Sequence, residues 1–307
     1  MTVLDTLKLT EIFIASDDFC KRLDEYHKEK GIGNQKKSGR PATMSDSEIM
    51  TVLIFFHLSG IRCFKWYYNN VLMVYLRSYF PDLPDYTTFL TASNRVFAPM
   101  TLFMQAVRLS PRTGHNYVDS KPLAVCHNKR IKQHRVFAGI AKRGKSSMGW
   151  FFGFKLHAVI NEYGQLVVVR ISSGNVSDNN HKMLRSLTKD LQGFLYGDKG
   201  YISKLRDELR GKGLTLVTKL RSKMRPKEML AEEQKHYLKH RGLIESAFDI
   251  LKHVCQIEHS RHRSVKGFLI NTIAALLAYT FLDKTPECPK FPKKLGKWDR
   301  KMTIELI

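Results

Sequence analysis

The sequence predicts an α/β protein with a helical preface: residues 1–110 helical, residues 111–283 a mixed sheet flanked by helices, and residues 284–307 a basic, proline-containing tail. Three observations predict it. Ser45 and Glu48 open an apolar stretch in capping-box register, the pattern that satisfies the free amides of a helix's first turn. From Phe152 to Ile160 apolar residues fall on alternate positions, the period of a strand. Beyond residue 180, short apolar runs alternate with helical stretches, as they do where helices pack on a sheet.

In chain order, "GIGNQKKSGRPATM" is a loop by composition, and "SDSEIMTVLIFFHLSG" is a helix that Gly60 can end. "FKWYYNNVLMVYL" and "DYTTFLTASNRVF" read as aromatic-rich helices separated by "PDLPD". Aromatic residues at helical spacing are more often core than base-stacking platforms. "HNYVDSKPLAV" is the first strand, and "FFGFKLHAVI" and "LVVVRI" form a hairpin across "NEYGQ". "NHKMLRSLTKDLQG" reads as a helix closing at Gly193, "FLY" as the fourth strand, "SKLRDELRGKG" as a helix and "LTLVTKL" as a strand. "EEQKHYLKHRGLIESAFDILKHVC" reads as one long helix. No internal repeat is present.

A chain of 307 residues supports about two domains without disulfides or structural metals, and 43% apolar content marks it as globular. Lys and Arg outnumber Asp and Glu by 51 to 28, a formal charge of +23 that suits a polyanion, nucleic acid first. A membrane surface would call for a basic amphipathic helix or a lipidation site, and "MTVLDTLKLTEIF" has neither that nor a secretory pattern. The apolar run Phe268–Leu282, 15 residues, reads as a buried helix, shorter than the ~20 residues a bilayer requires. Five cysteines without a CxxC pair point to a reducing cytoplasm. Cys126 and His127 are adjacent but find no second cysteine or histidine pair at metal-ligand spacing, so no zinc site is expected.

"FLYGDKGY" ends an apolar run on Asp198. A turn is the ordinary explanation of Gly-Asp-Lys-Gly, but the carboxyl end of a strand is also where α/β sheets place functional groups. Asp119 interrupts an apolar strand, where an acid needs a turn, a cation or a metal to justify it. Glu245 flanks the stripe Ile244, Ala247, Phe248 and Leu251; it reads either as a solvated residue paired with Arg241 or as part of a site rimmed by Arg241 and Lys252. Asp178 in "GNVSDN" reads as the N-cap of the helix that follows, with a fourth acid as the alternative. Three acids converging on a basic protein suit phosphodiester chemistry: two hard divalent cations, Mg²⁺ or Mn²⁺, would cancel the repulsion between carboxylates and phosphates.

The order Asp119, Asp198, Glu245 resembles that of the DDE transposases of bacterial insertion sequences, whose catalytic domain is RNase H-like. A signature of one large group of them, Tyr, two residues, Arg, three residues, Glu, six residues, Lys, is matched at Arg241, Glu245 and Lys252, with Leu238 where the tyrosine is expected and Tyr237 one position early. "YVDSKPL", "GFKLH", "SSGNVSDN" and "GDKGY" resemble the family's stretches around the first two acids. The likeness covers about residues 112–282. It implies a protein that binds the ends of a mobile element, cuts a phosphodiester with metal-activated water and joins the freed 3′ hydroxyl to target DNA. Asp119, Asp198 and Glu245 would hold two ions, and Arg241 and Lys252 would contact phosphate or orient the helix.

Two acid-free basic runs fit a double-stranded DNA partner: Lys129, Arg130, Lys132, Arg135, Lys142, Arg143 and Lys145, and Lys219, Arg221, Lys223 and Arg225. Phosphate contacts carry no sequence information, so recognition of the ends is expected from the helical region. Paired ends imply a homodimer, in a bacterial, nucleoid-associated setting. The alternatives are a nuclease without strand transfer and a transposon-derived protein that binds DNA without cutting it. The tail from Lys284 is expected to be weakly ordered.

Overall fold

The computed structural model describes residues 5–32, 42–202, 204–219, 229–258 and 262–291. The amino-terminal region is helical as expected. α1 (Thr6–Glu29) packs on α2 (Asp46–Leu58). The Ser45 side chain accepts from the Glu48 amide and Glu48 returns the bond to the Ser45 amide, so the capping box is formed. Gly60, at φ +73, lies just past the last turn in the left-handed conformation that ends helices. α3 (Phe64–Tyr67) continues through a π-helical turn into α4 (Met73–Tyr75), and α5 (Tyr86–Ser93) and α6 (Phe97–Phe103) follow. Tyr67, Tyr68 and Phe89 are fully buried, the core role expected of the aromatic stripes, while Trp66 and Tyr75 point outward.

Six strands form one mixed sheet in the order β2-β3-β1-β5-β6, with β4 also pairing β3. β1 (His115–Cys126) lies antiparallel to β3 (Gly149–Asn161) and parallel to β5 (Gly193–Gly197), which is parallel to β6 (Leu214–Thr218). β2 (Lys142–Ser146) and β4 (Leu166–Ser173) occupy successive lengths of the free edge of β3. The hairpin of β3 and β4 was legible; β2 was not, and four strands rather than three precede the first helix of the region. The reason is that β2 carries Lys142, Arg143 and Lys145 exposed at the sheet edge, where charge guards against edge pairing and no apolar alternation is required.

Alternation along β1 and β3 sends side chains to two cores. Tyr117, Leu123, Leu156, Ala158 and Ile160 join the larger core, continuous with the amino-terminal helices and α11 (Val265–Thr280), which packs on α2 and α6. Val118, Val159, Leu195 and Leu216 face the smaller one, under α7 (His181–Thr188) and α8 (Arg206–Gly211). Each large apolar side chain taken from water contributes about 1.5–3 kcal/mol. α11 is the buried helix expected of the apolar run. α7 stops at Thr188, and Gly193 opens β5 instead of closing the helix.

The long helix expected over 232–255 is broken. α9 (Glu232–Lys239) passes through a 3₁₀ turn, His240–Gly242, into α10 (Leu243–His253). Glycine is the poorest helix former after proline, by about 1 kcal/mol against alanine, and it marks the break. Nor are residues 284–291, the part of the expected tail within the described residues, loose; residues 292–307 lie outside the described residues. The Cys288 amide donates to Glu162 O at 2.7 Å and the Thr285 hydroxyl to Tyr163 O at 2.7 Å, so residues 284–291 lie against the β3–β4 turn. Gly164 in that turn has φ +69, and any Cβ there would run into the Pro286 carbonyl.

Candidate active site

Parallel pairing aligns the first two acids. His115, Asn116 and Tyr117 of β1 pair with Phe194, Leu195 and Tyr196 of β5. The paired stretch ends there, and the same offset continued two residues further falls on Asp119 and Asp198, just beyond it. Asp198 follows the last residue of β5, is exposed, and makes no capping bond to the 3₁₀ turn Lys199–Tyr201 that it precedes. The turn explanation therefore leaves its carboxylate without a task.

Glu245 stands in the first turn of α10, which packs on β1. Arg241, one turn earlier, donates from Nη2 to Glu245 Oε1 at 3.1 Å. Both charges reach Asp119, which accepts from the Ser120 amide at 2.8 Å. Burial above all, with the negative charges of Asp178 and Glu245, pushes the Asp119 carboxyl up to about 6 against the opposing pull of the Ser120 amide and Arg241.

Asp178 is the acid that sequence reasoning misassigned. The N-cap of α7 is Asn180, whose side chain accepts from the Met183 amide at 3.0 Å. Asp178 Oδ1 instead accepts from Ser120 Oγ at 2.6 Å and from Lys155 Nζ at 3.1 Å. A signal was available: Lys155 sits on a mostly apolar strand, and a buried ammonium needs a partner acid. Tyr201 completes the cluster. Its ring is buried, and burial with the charges of Asp119, Asp178 and Asp198 holds its hydroxyl un-ionised well above the ordinary range. Gly200 brings the loop against Asp178: a Cβ there would stand 4.0 Å from Oδ2.

Four carboxylates thus face the region between the middle of β1, the carboxyl end of β5 and the start of α10, with Arg241 and Lys155 as the neighbouring cations. Asp119, Asp198 and Glu245 do not close as a group to within 4.8 Å of one another. Asp198 and Glu245 are exposed at the ends of their elements. An all-oxygen donor set fits hard divalent cations.

Among the described residues, the group of three ligands that does lie within 4.8 Å is His236, His240 and Cys288. This corrects the expectation of no histidine pair at metal-ligand spacing: His236 and His240 are four apart in "HYLKH". Cys126 and His127 form no such group; His127 instead caps the 3₁₀ turn Asn128–Gln133.

The basic residues lie beyond the acids. Lys129, Arg130, Lys132, Arg135, Lys142, Arg143, Lys145 and Lys219 are exposed, and among the described residues none of them forms an ion pair. Arg221, Lys223 and Arg225 lie outside the described residues. Lys252 pairs with Glu258 at 3.3 Å. A groove of about 440 Å³ runs from Arg143, Lys145 and Trp150 to Lys155, Asp178 and Gly200. Trp150, half exposed, has the Arg143 guanidinium 5.0 Å and the Lys145 ammonium 5.9 Å from its ring centre.

The profile of one protein family, the transposase DDE domain, matches residues 109–265, just over half of the chain. The chain belongs to the DDE transposase family. Its mixed sheet flanked by helices is the RNase H-like sheet of a DDE domain, and the three acids read from the sequence all fall inside the matched stretch. No curated protein and no solved structure matches the chain. Within the DDE domain Tyr237, the tyrosine one position early in the signature, is buried and stacked on His115 at 3.7 Å, and Leu238 is buried beside it. Among the described residues no helix is long and apolar enough to cross a membrane.

Proposed function

We propose that this protein binds the ends of a mobile DNA element and catalyses metal-dependent strand cleavage followed by strand transfer, with Asp119, Asp198 and Glu245 as the ligands of two Mg²⁺ or Mn²⁺ ions. The observation that carries the reading is the β1–β5 register, which aligns Asp119 with Asp198 beside the helix bearing Glu245. When bound, such a pair of cations activates the attacking oxygen and stabilises the leaving one. The chain's own groups do the rest. Arg241 holds the Glu245 carboxylate, Ser120 and Lys155 hold Asp178, and Asp178 keeps negative charge against Asp119.

Double-stranded DNA is the substrate. Arg143 and Lys145 meet phosphates at the mouth of the groove, Trp150 offers a face for an unpaired base, and Lys129 to Arg135 together with the 219–225 run extend the phosphate track. Arg241 and Lys252 serve the phosphates nearest the acids. The amino-terminal helices read the element's ends, and a homodimer pairs two of them. A bacterial insertion sequence and the cytoplasmic nucleoid are the matching source and setting.

The test is Asp198→Asn, assayed on labelled DNA carrying the inverted repeats that flank the reading frame. Loss of Mg²⁺-dependent cleavage with retained binding is expected, and a variant that still cuts removes Asp198 from the ligand set. Joining of a pre-cut end to plasmid separates a transposase from a nuclease, and failure of the unaltered protein to cut leaves only a DNA-binding protein.

A further inference from the structure

Outside the acidic site, the densest grouping of ligand-bearing side chains joins α9 to the carboxyl-terminal segment. His236 and His240 lie one turn apart on the same face. One ring nitrogen from each and Cys288 Sγ lie within 4.8 Å of one another. We propose that these three residues form a second metal site, for a borderline-soft divalent cation such as Zn²⁺, that fastens the carboxyl-terminal segment to the helix leading into Glu245.

Three features beyond proximity support this. Both imidazoles are oriented by backbone carbonyls: His236 Nε2 donates to Pro289 O at 2.7 Å and His240 Nδ1 to His236 O at 2.9 Å. A neutral ring held that way keeps its other nitrogen unprotonated, and such outer-shell carbonyls are what set the tautomer of metal-binding histidines. Cys288 is 5% exposed, so its sulfur is screened from bulk solvent and brought to the histidines by a fixed backbone, through the bond from its amide to Glu162 O at 2.7 Å. The donors are also chemically distinct from the acids. Two imidazoles and a cysteine thiol, which now donates to Pro289 O at 3.5 Å and would give up its proton to a cation, are a zinc-type set with the fourth tetrahedral position open to water, whereas carboxylates select Mg²⁺ or Mn²⁺.

The placement supplies a purpose. His240 begins the 3₁₀ turn that carries the chain from α9 to α10, and Glu245 stands in the first turn of α10. Cys288 belongs to the segment packed on the β3–β4 turn. A cation here cross-links α9, the carboxyl-terminal segment and, through it, the long hairpin. The inference stands apart from the proposed function, since it needs neither DNA nor the acids.

The experiment uses full-length protein stripped with chelator and titrated with Co²⁺, then Zn²⁺, in excess Mg²⁺ to occupy the carboxylates. Expected are a sulfur-to-cobalt charge-transfer band, its loss when Zn²⁺ displaces Co²⁺, and a melting midpoint raised several degrees by Zn²⁺, since a ligand that binds only the folded state stabilises it. Cys288→Ser is expected to abolish the band and the shift together. His236→Gln, at a half-buried position, is expected to weaken Zn²⁺ binding at least tenfold, and serves alone if Cys288→Ser does not fold. A wild-type protein with no charge-transfer band, or variants that bind Co²⁺ as the wild type does, overturns the site.

Discussion

The Ser120 hydroxyl donates to Asp178 Oδ1 across 2.6 Å, so the residue that follows one acid of β1 holds a second acid from the loop after β4. Lys155 reaches the same oxygen at 3.1 Å from β3. Asp178 is thereby held beside the residue that follows Asp119, which under the proposed function makes it a positioning residue. Asp178→Asn is expected to lower Mg²⁺-dependent cleavage by roughly 10- to 100-fold, the usual cost of losing an outer-shell partner of a metal ligand. Ser120→Ala, which leaves the lysine contact, is expected to cost less. An unchanged cleavage rate and metal concentration dependence in Asp178→Asn would falsify this role.

Arg241 and Glu245 form an ion pair one turn apart, with Glu245 57% exposed. Pairs that open to water contribute about 0–1 kcal/mol. Arg241→Ala is therefore expected to leave the denaturant midpoint almost unmoved while cleavage falls sharply. Measuring both on one preparation separates a positioning role from a structural one: parallel losses in the two would assign the arginine to the fold.

Trp150→Ala is expected to weaken binding to DNA with an unpaired end by roughly 5- to 150-fold, the worth of one stacked base at about 1–3 kcal/mol. Its salt dependence should stay the same. Arg143→Gln or Lys145→Gln should instead flatten the slope of log K against log salt by about one each. A titration over several salt concentrations checks both, and a tryptophan variant that binds like the wild type removes the stacking platform.

His57 is fully enclosed between α2 and the end of α10, and its ring donates from Nδ1 to Cys255 O at 2.7 Å. Burial pulls its pKa down to about 4. The unfolded chain, with an ordinary value near ~6.5, takes up the proton first, so stability is full above that value and falls with acidification until pH ~4. The group accounts for ~3 kcal/mol over that window. Urea unfolding at pH 7 and pH 5 should show the loss, and His57→Gln should flatten it. An equal pH slope in the variant rules the histidine out as the source.

Gly164→Ala is expected to destabilise the protein and free residues 284–291. The turn demands φ +69 there, and the Pro286 carbonyl fills the space a methyl group would need. Faster proteolysis after Lys284, relative to the wild type, is the readout; an unchanged cleavage pattern would show that the segment is held by its other bonds.

Local chemistry was legible because it repeats along the chain. A cap four residues long, an alternation nine residues long and an apolar helix each declare themselves wherever they occur, and they gave α2, the β3–β4 hairpin and α11 without reference to the rest of the molecule. Asp119 and Asp198 stood out as candidates because an acid inside an apolar strand and an acid at a strand end are locally out of place, whereas Glu245 joined them through the resemblance to the DDE transposases. The strong positive charge likewise named the class of partner.

What the sequence could not contain is which distant residues meet. Asp178 looked like a cap because nothing nearby in the chain reveals that Ser120 and Lys155 converge on it. β2 lacked a period because an edge strand buries little, and the 3₁₀ turn at Gly242 shows that a helical pattern alone does not keep a helix continuous. His236 of α9 and His240 of the turn after it became a grouping only when residues 284–291 folded back to bring Cys288 beside them. Periodicity is written in neighbours, whereas register and long-range pairing are set by how the sheet and helices pack, and the site belongs to the second kind.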